Sequence, residues 1–377
     1  MQYDEMNLEF LRQLLGLTLF PYQEKLVVDM MGEEIMTSKD IIKLTALDQY
    51  FRVMSNPYVH NNLMFLTLGG SHSYGTNTPT SDIDLRGCAF MPKEVLLGTK
   101  NFEQIVDNLT DTTIYSFNKL VSLCSACNPN TIEMLGCRPD QYLFFNDMGR
   151  EFVNCRKMFL SKKAVYSFGG YANQQLRRLE NALCRDVPHS QKELHLLNTI
   201  QSAMQSFLSK YQSFDDGSMN LYIDQAVDPE LETEIFIDVD LHHYPLRDYK
   251  SIWSEMNNIV KDYGKLGKRN KKKDDEHLNK HAMHLVRLYL TCFDLLEKGD
   301  IITYRENDIP MLMQIRNGKY QKEDGSYDPV FFEMIDEMER RLQYAAQNTV
   351  LPDKPDYKQI EEFVMSVNER RLRDGTV

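Results

Sequence analysis

Asp82 and Asp84 stand two residues apart in the stretch Leu63 to Gly87, LMFLTLGGSHSYGTNTPTSDIDLRG. Side chains two apart on a β-strand point to the same face, so a strand through this segment projects both carboxylates together while Ile83 and Leu85 turn toward the core. Two close carboxylates on a rigid strand make a platform for a divalent metal ion. Upstream, Gly69-Gly70-Ser71 interrupts the apolar run Leu63 to Leu68. Glycines there let the backbone approach a bound group closely, and successive amide N–H groups at a helix start favour phosphate oxygens. A phosphate cradle facing a metal platform points to phosphoryl or nucleotidyl transfer.

Rival chemistries fail on particular residues. Gly70 and Gly75 have P-loop spacing, but Thr76 stands where that motif requires lysine. A nucleophile elbow needs glycine two residues after its serine, and Ser73 follows Ser71 at that distance. Glu234 to Tyr244, EIFIDVDLHHY, reads as a competing strand with Asp238, Asp240 and His242 on one face, yet no glycine-rich cradle precedes it closely. Cys124 and Cys127 form a C-x-x-C with no second pair at zinc-ribbon spacing, and they read as core residues of a helix. His277, His281 and His284 recur at helical spacing, but the glutamate of a metalloprotease H-E-x-x-H is missing.

The residues Gly70-Ser71, Ser81-Asp82-Ile83-Asp84 and Leu85-Arg86-Gly87 resemble the signature of the polymerase-β-type nucleotidyltransferase superfamily, a Gly-Ser turn followed by a D-x-D strand. Within it the chain looks most like the RNA-repair-associated branch found in bacteria and phages. That likeness extends to Asp111 to Lys119, Asn128-Pro129-Asn130 with Glu133, Gly267 to Asn270, Lys280-His281 with His284 and Arg287, and Ile315 to Gly318. The resemblance implies that Asp82 and Asp84 hold two Mg²⁺ ions, with Mn²⁺ as an alternative, and that a third acid on a neighbouring strand joins them. Asp111, at the mouth of the strand Thr112 to Ser116, is the candidate and Asp107 the runner-up. It further implies nucleotide contacts at Gly70, Ser71, Ser81, Lys268, Arg269, Lys280, His284 and Arg287.

The expected fold is an α/β (α+β) nucleotidyltransferase core with a short mixed sheet, plus a mainly helical second domain. Residues 1–60 read as a helical extension, 61–150 as the catalytic core, 151–350 as a mainly helical substrate and nucleotide domain, and 351–377 as a proline-bearing linker and helix. The helical stretch from Ser161 is expected to turn at Gly169-Gly170, and the helix from Leu278 to stop at Gly299. Asn130 followed three residues later by Glu133 has the pattern of a capping box.

Composition sets outer bounds on this reading. With 42% hydrophobic and 26% charged residues in 377, the chain has ordinary globular usage and enough length for two cores. Seven cysteines without a repeating pattern suit reduced thiols and a cytoplasmic location. Acids precede the first apolar stretch, where a signal peptide would be positive, and no apolar run reaches the ~20 residues of a membrane span. The net charge of −12 argues against a protein coated with nucleic acid, although Lys265 to Lys273, KLGKRNKKK, gathers six positive charges. The expected partners are an NTP and an RNA acceptor such as a tRNA or broken RNA 3′ end, with no membrane. A protein acceptor, as for a toxin or counter-defence factor, is the second enzymatic reading; a nucleotide-binding regulator without turnover is the non-enzymatic one.

Overall fold

A computed structural model describes residues 48–183, 219–227, 233–264, 275–322 and 326–374, together with 194, 196–198 and 200. Lys268 and Arg269, and the expected helices before residue 48, lie outside the described residues. The chain divides into two compact units: one takes the described residues up to Asn173, Met283–Ile315 and those from Phe332 onward, and the other takes Gln174–Ala282 and Arg316–Phe331.

The first unit is built on a five-stranded mixed sheet. In chain order its elements begin with helix α1 (Asp48–Met54), β1 (Leu63–Leu68), the short helix α2 (Gly70–Tyr74), β2 (Leu85–Ala89), β3 (Gln104–Asp107) and β4 (Thr112–Ser116). Helices α3 (Phe117–Ser125) and α4 (Pro129–Ile132), strand β5 (Tyr142–Phe145) and helix α5 (Asp147–Asn154) follow. The spatial order is β3-β4-β2-β1-β5, with β2 and β4 parallel and the other neighbours antiparallel. The parallel pair sets Leu85 beside Thr112, so the residues just before them, Asp84 and Asp111, emerge at the same end of the sheet.

Alternation sorts the strand residues into two packed faces. Leu66, Leu68, Leu85, Ala89 and Ile114 pack with Tyr50 and Val53 of α1 and with Val59 and Phe102. On the other side Phe65 stacks on Phe152 of α5, and Phe152 meets Phe117, Phe159 and Phe363. Each fully buried phenylalanine contributes about 1.5–3 kcal/mol of transfer free energy, so this cluster ties α5 and the C-terminal helix to the sheet. Gly149 makes the fit close, since a Cβ there would lie 2.5 Å from the Met64 carbonyl oxygen.

Several expected elements differ. The strand expected to carry Asp82 and Asp84 begins at Leu85, and both aspartates lie in the irregular segment before it, because the ladder with β1 ends at Leu68 opposite Leu85. Helix α6 (Lys163–Leu183) runs through Gly169-Gly170 without a turn. Packing of Ala164, Phe168 and Ala172 overrides the weak helix propensity of two glycines. Cys127 lies beyond the end of α3 in a left-handed conformation (φ 51°), and it is buried like Cys124.

In the second unit β6 (Met219–Gln225) and β7 (Thr233–Val239) form an antiparallel hairpin that packs with helix α7 (Leu246–Gly264) through Met219, Leu221, Ile235 and Ile252. Helix α8 (Asp275–Phe293), whose residues from Met283 onward belong to the first unit, continues into a π-turn at Asp294–Lys298 and stops at Gly299, whose φ of 62° is left-handed. Helices α9 (Ile309–Arg316), α10 (Pro329–Asn348) and α11 (Tyr357–Asp374) complete the chain. Among the described residues, no helix is long and apolar enough to cross a membrane.

Candidate active site

The site grows from the turn at the end of β1. Gly69 N–H donates to the Asp84 carbonyl (2.8 Å), which closes the β1–β2 ladder and brings the two segments together. Gly70 then takes φ +54°, and a Cβ there would lie 1.8 Å from Asp84 Oδ2. Only glycine fits beneath that carboxylate. The left-handed backbone starts α2, and the first amides of any helix lack a carbonyl one turn earlier within the helix. Ser73 Oγ donates to the Gly70 carbonyl at 2.8 Å, and Gln141 Nε2 bonds the carbonyls of His72 and Ser73, both at 3.1 Å. The five-residue helix is therefore held at its far end as well as at its turn.

Arg86 organises the acids. Its Nη2 lies 3.2 Å from Asp84 Oδ1 and 3.7 Å from Asp111 Oδ1, and its Nη1 donates to the Asp111 carbonyl at 2.6 Å. Asp111 adopts φ 45°, a left-handed conformation that aspartate tolerates better than most residues, and the same carbonyl accepts from Leu85 N–H. One guanidinium thus gathers the carboxylates that immediately precede β2 and β4. Asp107 is registered with Thr112 on the face that carries Leu85 and Ile114, whereas Arg86 belongs to the other face. Its Oδ1 accepts from Leu109 N–H, and its buried Oδ2 has no partner.

Asp82 is exposed two residues before Asp84. Ser81 Oγ accepts from Thr78 N–H at 2.8 Å, so this hydroxyl shapes the turn that delivers the aspartates. His72 is buried with an unpartnered Nε2, and burial lowers its pKa, partly offset by the Ser81 backbone.

Behind α2 lies a buried ion pair. Arg287 of α8 bonds Glu133, and the Tyr74 hydroxyl donates to the other oxygen of Glu133 at 2.8 Å. The Arg287 guanidinium sits 3.7 Å from the centre of the Tyr74 ring, and His284 meets the same ring edge-on at 6.4 Å. Burial penalises the Arg287 charge, yet Glu133 and Tyr74 outweigh it and raise its pKa. Burial drives the Tyr74 phenol well above its usual value despite the nearby cation. The capping-box expectation for Glu133 is corrected here: Asn128 is the N-cap, accepting from Asn130 N–H, with Pro129 at the first helical position.

The structure therefore brings Gly70, Ser71, Ser81, Asp82, Asp84 and Asp111 to one end of the sheet. It places His284 and Arg287 against Tyr74, with Arg287 engaged by Glu133; Lys280 is exposed and belongs to the second unit. Of the rival motif, Asp238 lies near the Tyr222 hydroxyl and Asp240 pairs with His242 at 2.9 Å. Sequence reasoning gave no role to Arg86, Tyr74 or Gln141. The i, i+2, i+4 series Asp82, Asp84, Arg86 was a visible signal for Arg86, whereas nothing local marks the other two.

The donor chemistry of Asp82, Asp84 and Asp111 fits a hard divalent cation, which takes carboxylate oxygens. Among the described residues, no three His, Cys, Asp or Glu side chains are gathered closely enough to form a ligand set. Arg86 supplies the positive charge between Asp84 and Asp111 in this arrangement.

A mixed sheet with a Gly-Ser turn beneath a strand-end aspartate, and a further aspartate at the end of the parallel neighbour, has the form of a polymerase-β-type nucleotidyltransferase core. The chain belongs to the RNA repair pathway DNA polymerase beta family, RlaP, whose family model matches residues 36–366. A comparison with curated proteins finds no match.

Proposed function

We propose that the protein is a metal-dependent nucleotidyltransferase that moves NMP from an NTP to an acceptor hydroxyl, the 3′ end of an RNA, and releases pyrophosphate. The observation that carries this reading is the Asp84 carboxylate over the Gly70 turn, joined through Arg86 to Asp111 at the end of the parallel strand. The family description, an RNA repair pathway, supports RNA as the acceptor.

In this reading Asp82, Asp84 and Asp111 hold Mg²⁺, which supplies charge neutralisation for the phosphates when bound. Gly70 and Ser71 amides receive the triphosphate tail at the start of α2 and turn its α-phosphate toward the aspartates. The acceptor oxygen forms a bond to the α-phosphorus as the bond to the bridging oxygen of the β-phosphate breaks. Pyrophosphate leaves with that electron pair, and the hydroxyl proton passes to solvent. Orientation and preorganised charge supply most of the acceleration.

The test offers each α-labelled NTP with Mg²⁺ and RNAs ending in either a 3′-hydroxyl or a 3′-phosphate. Label entering only the 3′-hydroxyl RNA is the expected result. Label entering protein instead overturns the assignment of the acceptor.

A further inference from the structure

Tyr74 is the last residue of α2, and Gly70 is the first. The Gly70 end lies under the Asp84 carboxylate, while the Tyr74 side chain at the other end closes a buried triad with Glu133 and Arg287. Arg287 bonds Glu133, Glu133 accepts the Tyr74 hydroxyl, and Arg287 stacks on the Tyr74 ring at 3.7 Å. Tyr74, Glu133 and Arg287 are 8%, 3% and 5% exposed. The Glu133 backbone is fixed in turn, because Thr303 Oγ1 and Cys137 Sγ both donate to its carbonyl.

A guanidinium that is buried, bonded through Nη1 to Glu133 and stacked on the Tyr74 ring is poorly placed to bind an exposed phosphate, even though its buried Nε has no partner. A short helix, in contrast, gains a fixed orientation from such an anchor: five residues make too few internal hydrogen bonds to hold it. Resting on the nucleotidyl-transfer reading, we infer that Tyr74, Glu133 and Arg287 are positioning residues, a clamp that orients α2 so that its phosphate-binding end stays registered against Asp84. Arg287 then acts through Tyr74 and not as a ligand of the nucleotide. A loosened clamp leaves the cradle intact and misplaces it relative to the aspartates, so the reacting geometry suffers more than nucleotide affinity.

The test uses Tyr74→Phe, which keeps the ring and its stacking on Arg287 and removes only the hydroxyl. In steady-state transfer assays on the full chain, kcat is expected to fall about tenfold or more while the KM for NTP stays within about twofold. Glu133→Gln is expected to show the same split, and the double variant to be no slower than the worse single one, because the residues act as a unit. Independently of turnover, hydrogen exchange of residues 69–76 is expected to accelerate in Tyr74→Phe while exchange in β4 is unchanged. Should Arg287→Lys raise the NTP KM while Tyr74→Phe changes neither constant, Arg287 binds phosphate and the clamp is overturned. Unchanged exchange over 69–76 overturns it too. If the wild-type protein transfers no nucleotide, the functional reading fails, and the exchange comparison alone decides the clamp.

Discussion

Gly70→Ala is the smallest change that should separate the turn from the carboxylate it supports. The added methyl would start 1.8 Å from Asp84 Oδ2, whereas ordinary contact begins near 3.4 Å, so the carboxylate must retreat by more than an ångström. An L-residue in the left-handed region also costs about 1–2 kcal/mol. That backbone cost lowers the thermal midpoint by a few degrees and leaves the fold in place. The displacement of Asp84 is more damaging, since misplacing a reacting group by about 1 Å can cost about 100-fold in rate. Gly170→Ala is the control: a Cβ there meets nothing within 4 Å inside a regular helix, so it should stabilise by about 1 kcal/mol and leave transfer unaffected. Thermal unfolding and label transfer, measured on both variants, check the pair. A Gly70→Ala protein within a few-fold of wild-type activity would refute the placement of Asp84 over this turn.

Breaking the buried pair by Arg287→Met should cost about 3–5 kcal/mol, because Glu133 is left charged and unmatched; adding Glu133→Gln to that variant should recover part of the loss in denaturant titrations, and an additive double variant would contradict the pairing. His72 is held below its ordinary pKa by burial, so the unfolded chain takes up a proton first as pH falls through about 6.5, and native stability should decline from there downward. His72→Gln should flatten that decline in chemical denaturation between pH 7 and 5, and parallel slopes would exclude His72 as its source. Burial pushes the Cys137 thiol up to about 12 and raises Cys88, Cys124 and Cys292 as well. Of these, the buried thiols Cys88, Cys124 and Cys292 should resist a thiol reagent near pH 8 until denaturant is added, which thiol titration followed by peptide mapping would check.

Where a single short stretch carries the information, the sequence was readable. The apolar run Leu63–Leu68 ends at two glycines and is β1 over that span, and Thr112–Ser116 is β4, followed directly by a helix that Ser116 caps by accepting from Lys119 N–H. Gly299 stops the α8 segment through its left-handed backbone. Alternation also put Asp82 and Asp84 together, although the ladder that makes a strand begins one residue later, at Leu85. What could not be read depends on distant partners. Glu133 meets Arg287 across 154 residues of chain, and only that pairing distinguishes a buried anchor from a helix cap or a phosphate ligand. Gln141 likewise looks like any surface glutamine until its amide is seen on the carbonyls of His72 and Ser73.

The most direct test of the central claim compares the wild-type protein with an Asp82→Ala/Asp84→Ala double variant, each incubated with α-labelled NTP, Mg²⁺ and RNA. Circular dichroism should give matching spectra, because both carboxylates lie outside the packed core. Label should enter RNA with the wild type alone. Equal labelling by a folded double variant would contradict the assignment of nucleotidyl transfer to this site.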